Sequence, residues 1–180
     1  MKTKTLIITS IIILAAFLLY SNSRKDTTSN CDESLWNNVH NPSRLTVIDD
    51  CITISGFIRN ITAERDGDYH VLVQLDDEYR GFVNAANWEK ASGYLVAEPI
   101  CQIKTEPVMK ECKGFDKKIK IPSIGTHVEM TGTYVFDKNH GWMEIHPVTR
   151  IEAPFLYRLF SAFFTSKSQQ PAQSDFDSDE

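Results

Sequence analysis

Between Cys51 and Ile151 the chain alternates apolar and polar residues in short runs broken by turn-forming clusters, the pattern of half-buried β-strands. In Cys51–Ile58, the side chains of Ile52, Ile54 and Ile58 fall on one face. A polar turn containing Asp66-Gly67-Asp68 follows. Tyr69–Leu75 then aligns Tyr69, Val71, Val73 and Leu75, and Asp76-Asp77-Glu78 turns the chain again. Gly81-Phe82-Val83 reads as a short third strand. Asn87–Ser92 fits a short helix and Gly93–Pro99 a further strand. His127–Phe136 sets Val128, Met130, Tyr134 and Phe136 on one face. Asp137–Gly141 is a hairpin loop, and Trp142–Ile151 is the last strand.

Five or six short strands, with a longer excursion before the final hairpin, predict a mostly β fold. The closest architecture is a small Greek-key barrel of the OB type, in which the connection between strands three and four is often elaborated. Another small β-barrel or sandwich is the other reading. The segments divide as 1–23, an apolar N-terminal helix; 24–44, a polar linker and lead-in; 45–151, the barrel; 152–165, a short apolar helix; and 166–180, an acidic tail expected to be disordered. The apolar helix begins near Pro154 and is too short to span a bilayer, so it either packs on the barrel or lies on a membrane surface.

The N-terminal segment changes the picture most. Lys2 and Lys4 precede an uncharged apolar run from Leu6 to Tyr20, the pattern of a secretory signal or a signal anchor. An uncleaved anchor at residues 6–23, holding the domain outside the cytoplasm, is the favoured expectation. Secretion after cleavage near Ser23 is the alternative. Four cysteines agree with export, where an even count points to disulfides. Of the three possible connectivities, Cys101 with Cys112 closes a short loop easily and leaves Cys31 with Cys51. A zinc site made by all four lacks any C-x-x-C pair.

Charge narrows the partners. The 180 residues carry a formal net charge of -5. Phosphate backbones are bound through Lys and Arg, so general nucleic-acid binding is disfavoured. Lys104, Lys110, Lys113, Lys117, Lys118 and Lys120 cluster in the excursion, but Glu106, Glu111 and Asp116 are interspersed, and a solvated loop accounts for them.

Candidate chemistry gathers at two places. Asp66, Asp68 and His70 flank the turn between the first two strands. Asp137, His140, Glu144 and His146 flank the last hairpin, and an OB barrel brings these two loops together. Trp142, Glu144 and His146 share one face of the last strand by the period of two. Such carboxylates and imidazoles can hold a divalent metal or other ligand, act as a general acid–base pair, or satisfy one another as a structural network. No H-E-x-x-H, G-x-S-x-G or P-loop string is present. Trp142 and Trp88 are candidates for stacking on a ligand, with packing as the plainer reading.

The string Thr131-Gly132-Thr133-Tyr134-Val135-Phe136-Asp137, followed by His140-Gly141-Trp142-Met143-Glu144-Ile145-His146-Pro147-Val148, resembles the ending of a bacterial family of exported, OB-fold-like proteins of unknown function. The strand with Cys51 and Gly56, the Asp66-Gly67-Asp68-x-His70 turn and Asn84-x-x-Asn87 are similar too, so the resemblance covers roughly residues 45–151. It implies a fold and a location, and no chemistry. The leading functional expectation is a membrane-anchored extracytoplasmic module that binds an unknown ligand or protein partner without catalysis and without a required cofactor. A metal-dependent hydrolase, phosphodiesterase-like, built on the Asp/His/Glu cluster is one alternative. A structural component of a cell-envelope assembly is the other.

Overall fold

The computed structural model describes residues 30–154. The expected N-terminal anchor, most of the linker, the apolar helix beyond Pro154 and the acidic tail lie outside the described residues. Among the described residues, no helix is long and apolar enough to cross a membrane.

The five strands are β1 (Leu45–Ala63), β2 (Tyr69–Leu75), β3 (Leu95–Ala97), β4 (His127–Asp137) and β5 (Met143–Glu152). They form one mixed sheet in the order β1-β2-β3-β5-β4 that closes on itself through β1 and β4. Only β3 and β5 are parallel; the other pairs are antiparallel.

β1 is 19 residues long because it serves two neighbours. Leu45–Phe57 pairs with β4, and Gly56–Ala63 pairs with β2. Gly56 sits where the two pairings overlap, opposite both Leu75 and Val128. A Cβ there would stand 2.3 Å from the Gln74 carbonyl oxygen, so only glycine permits this close approach. Gly132 does the same on β4, where a Cβ would stand 2.4 Å from Ile145 Cγ2 beside the register shifts that bend the hairpin.

The alternation read from the sequence points into the barrel. Ile54, Ile58, Val71, Val73, Leu95, Ala97, Val128, Met130, Ile145 and Val148 form the sealed core. Each fully buried aliphatic side chain of this size contributes about 1.5–3 kcal/mol relative to exposure. Ile52, Tyr69 and Met143 pack at its margins.

One expected strand is absent. Gly81-Phe82-Val83 is not a strand: a 3-10 turn over Asp77–Phe82 takes Gly81 and Phe82, and Val83 is extended beyond it. Three residues are too few for alternation to distinguish a strand from a turn. Phe82 still packs on the core, edge-on to Tyr134, whose hydroxyl donates to the Phe82 carbonyl at 2.9 Å. The short helix expected at Asn87–Ser92 forms two residues earlier, as α1 (Ala85–Lys90), because a capping box between Asn84 and Asn87 opens it.

The sheet's outer face is partly covered. The lead-in makes a 3-10 turn at Glu33–Asn38, capped by the Asp32 carboxylate, and another at Pro42–Arg44. Leu35 and Val39 from this segment pack with Leu45, Ile100 and Val135. Further along, Trp142 and Val96 pack with Ala91 of the turn after α1. Both expected disulfides are formed. Cys31–Cys51 ties the lead-in to β1, and Cys101–Cys112 closes the excursion. Within that excursion Lys118 donates to the Cys101 and Gln102 carbonyls, both at 2.9 Å, so not every lysine there is merely solvated.

Candidate functional site

Register decides where the β5 polar residues go. Tyr134 lies opposite Ile145, Val135 opposite Glu144 and Phe136 opposite Met143. Ile145 therefore shares the core face with Tyr134, and Glu144 and His146 project outward. On the other side, the parallel pairing sets Val96 beside Glu144. Glu98 continues that ladder: its N–H donates to Ile145 O at 2.9 Å, and its carbonyl accepts from Val148 N at 3.1 Å. Two residues beyond Val96, it emerges on the same outer face.

Outward does not mean exposed here. Glu144 and His146 are 0% exposed and Glu98 1%, because Arg44 and the lead-in lie over them. The Arg44 guanidinium is the hub. It donates to Asp137, stands 3.3 Å from Glu98 Oε2 and 3.5 Å from Glu144 Oε1. His146 Nδ1 lies 2.5 Å from Glu98 Oε2 and 3.2 Å from Glu144 Oε1. Trp142 Nε1 donates to Glu144 Oε2 at 2.7 Å. Glu144 itself sits between Val135 and Val96, which belong to separate apolar clusters.

The rim of the cluster is more open. His70, on β2, places Nε2 2.7 Å from Glu98 Oε1, and Glu64 lies 3.5 Å from its other nitrogen. Asp137 ends β4 and organises the hairpin: Oδ1 accepts from Asn139 N at 2.7 Å and His140 N at 3.3 Å, while His140 Nδ1 lies 2.6 Å from Oδ2. The half-exposed His140 ring stacks on Trp142 with centroids 4.3 Å apart. Asp68 is buried, and its Oδ1 accepts from Cys101 N at 2.6 Å.

These contacts set the charge states. Burial alone raises a carboxyl pKa and lowers that of an imidazole. At Glu98 the two histidines outweigh burial and hold the carboxyl well below its usual value. At Glu144 burial and the neighbouring Glu98 win, and the carboxyl is raised. At His146 burial is outweighed by Glu98 and Glu144, which push it up to about 10. His70 is raised in the same sense by Glu98. Asp68 is pushed up to about 7, first by burial and then by Asp66. At Asp137 burial is overcome by His140, the Asn139 N–H and Arg44, and the carboxyl is lowered.

Of the residues singled out in the sequence, the structure thus joins His70, Asp137, His140, Glu144, His146 and Trp142 into one network and sets Asp68 beside it, near Glu98 and His146. Asp66 stays outside it. Its Oδ1 accepts from Asp68 N at 3.2 Å, and it lines a shallow open groove of about 390 Å³ with His40, Glu64, Arg65 and Met109. Trp88, 65% exposed on α1, leans against Gly93. Trp142 already has its face against His140 and its N–H on Glu144. Sequence reasoning missed Arg44 and Glu98, which hold the network together. The available signal was weak: an arginine just ahead of a strand, and a lone acid in the apolar run Leu95–Ile100.

Asp68, Glu98 and His146 bring ligating atoms within 4.8 Å of one another. A second such grouping, Asp68 with Cys101 and Cys112, offers no thiolates because the two sulfurs are bonded to each other. Neither a comparison with protein-family models nor one with curated protein sequences gives a match.

Proposed function

We propose that this chain is an extracytoplasmic, membrane-anchored OB-type barrel that binds a ligand or protein partner and does not catalyse a reaction. The observation that carries the non-catalytic part is the enclosure of the charged cluster. A general acid or base must reach its substrate, yet Glu144, His146 and Glu98 are sealed and committed to one another and to Arg44. Such a network fixes the lead-in, β3 and the last hairpin relative to one another.

The OB reading rests on the strand order β1-β2-β3-β5-β4 with parallel β3 and β5, and on the long excursion between β3 and β4. In that fold ligands bind beside the β1–β2 and β4–β5 loops. Here those loops carry Arg65, Asp66, Lys138 and the half-exposed His140, and Arg65 and Asp66 line the groove beside His40. The two disulfides support an oxidising compartment, and the apolar run at residues 6–20 supplies the anchor. The resemblance to exported OB-like bacterial proteins agrees with both.

The test combines location and turnover. Cells are fractionated, the protein is digested from outside in spheroplasts, and purified protein is assayed on bis(p-nitrophenyl) phosphate with added manganese or zinc. The proposal expects membrane-bound, externally cleaved protein and no turnover. A cytoplasmic soluble protein overturns the location. Turnover abolished by Glu144→Gln overturns the non-catalytic reading.

A further inference from the structure

The three groups whose ligating atoms converge within 4.8 Å come from separate parts of the fold: Asp68 from the β1–β2 turn, Glu98 from the end of β3, and His146 from β5. They are 2%, 1% and 0% exposed. Three atoms in this set have no hydrogen-bond partner, Asp68 Oδ2, His146 Nε2 and Glu98 Oε1, the last of them 2.7 Å from the His70 ring. A buried polar atom left unpaired costs about 1–3 kcal/mol. Three of them within one small set of side chains call for a shared partner.

We propose that Asp68, Glu98 and His146 bind one divalent cation of the zinc class in an enclosed, structural site. The donor set of one imidazole and two carboxylates suits zinc, whereas calcium and magnesium favour oxygen donors alone. His146 is oriented for the task. Its Nδ1 lies 2.5 Å from Glu98 Oε2 and 3.2 Å from Glu144 Oε1, so a carboxylate accepts the Nδ1 proton, and a cation bound at Nε2 displaces the second ring proton that these carboxylates otherwise stabilise. That carboxylate–imidazole relay is how proteins fix metal-binding histidines. Asp68 is likewise held at one oxygen, by the Cys101 N–H at 2.6 Å, with the other oxygen left over.

Charge favours a cation as well. The carboxylates of Glu98, Asp137 and Glu144 converge on a single guanidinium, Arg44, which stands 3.5 Å from His146 Nδ1, and Asp68 adds a fourth carboxylate beside Glu98 and His146. A dication at Nε2 would take the place of the His146 proton in neutralising the carboxylates that Arg44 leaves uncompensated. Burial also explains why the site is structural, since an enclosed ion has no open position for substrate. The inference is independent of what the barrel binds and of whether it is anchored.

The test uses the full-length protein, purified without chelator. Elemental analysis should find about one zinc per chain. After dialysis against a chelator, zinc chloride should raise the melting temperature by several degrees and magnesium chloride should not. Asp68→Asn keeps an acceptor for the Cys101 N–H, so it should fold, and it should weaken zinc binding by about tenfold or more. Cobalt substitution of the wild type gives a readout free of any variant: visible d–d bands of a nitrogen–oxygen site with no sulfur charge-transfer band. Absence of bound metal together with a melting temperature indifferent to zinc overturns the proposal and leaves a buried water as the shared partner. Undiminished zinc binding by Asp68→Asn, or a thiolate band in the cobalt spectrum, overturns it by placing the metal elsewhere. Either result leaves the location and turnover assays untouched.

Discussion

Arg44→Ala is the perturbation that separates a structural network from a loose collection of surface charges. The guanidinium side chain is 9% exposed, and the carboxylates it meets on Glu98, Asp137 and Glu144 are 0–1% exposed. Replacing a whole buried ion pair by apolar residues is often neutral, but removing one partner strands the other and costs about 3–5 kcal/mol. Asp137 keeps the Asn139 and His140 N–H groups, and Glu98 keeps two histidines, so the lower half of that range applies. For a domain of this size about 3 kcal/mol lowers the melting temperature by roughly 10 °C. The deficit also depends on pH. Arg44 lowers the Asp137 and Glu144 carboxyls against the burial that raises them. Without it their folded pKa values rise, so stability is lost as pH climbs through the ordinary carboxylate range, and the deficit should shrink below about pH 4. Urea and thermal melts by circular dichroism, with chelator present, at pH 4 and pH 7 provide the measurement. A loss under about 1 kcal/mol at pH 7, of the size seen for exposed ion pairs, would refute the reasoning.

Two further outcomes are expected. Replacing Cys101 and Cys112 together by serine opens a loop with a sequence separation of 11 and should cost about 3 kcal/mol, measured by urea unfolding; a loss below about 0.5 kcal/mol would show that the excursion needs no tie. Asp76 accepts from Ser55 and stands 2.8 Å from His127 Nε2; these contacts outweigh burial and hold its carboxyl below the usual value. Its contribution is present above about pH 4 and lost as pH falls through the lowered value, so Asp76→Asn should destabilise slightly at pH 7 and progressively less in acid; a cost that does not shrink with falling pH would contradict the assignment.

Much of the barrel was legible because its strands have one wet or polar face. Tyr69–Leu75 was bounded correctly since Asp66–Asp68 and Asp76–Glu78 punctuate it. Both disulfides could be read because one pairing closes locally. Alternation also put Glu144 and His146 on one face of β5, but alternation has no sign. Whether that face points in or out depends on the hairpin register, Val135 opposite Glu144, which no local signal specifies. Glu98 stayed hidden because β3 is only three residues long and gains its partner through a parallel pairing with β5, nearly fifty residues away. Arg44 stayed hidden because it precedes β1 and reaches Asp137 across 93 positions. A polar network assembled from five chain segments leaves little trace in any one of them.

Enclosure of the cluster is the central claim, and chemical modification of the histidines tests it most directly. The native protein is treated with diethyl pyrocarbonate, and the five histidines are followed by mass spectrometry. His40 and His140, each with a side chain 43% exposed, should react quickly. His70 and His127, at 22% and 26%, should react more slowly. His146, at 0%, should stay unmodified until urea unfolds the domain, and then react like the others. Modification of His146 in the folded protein at the rate of His140 would contradict the account and reopen the cluster as an accessible site.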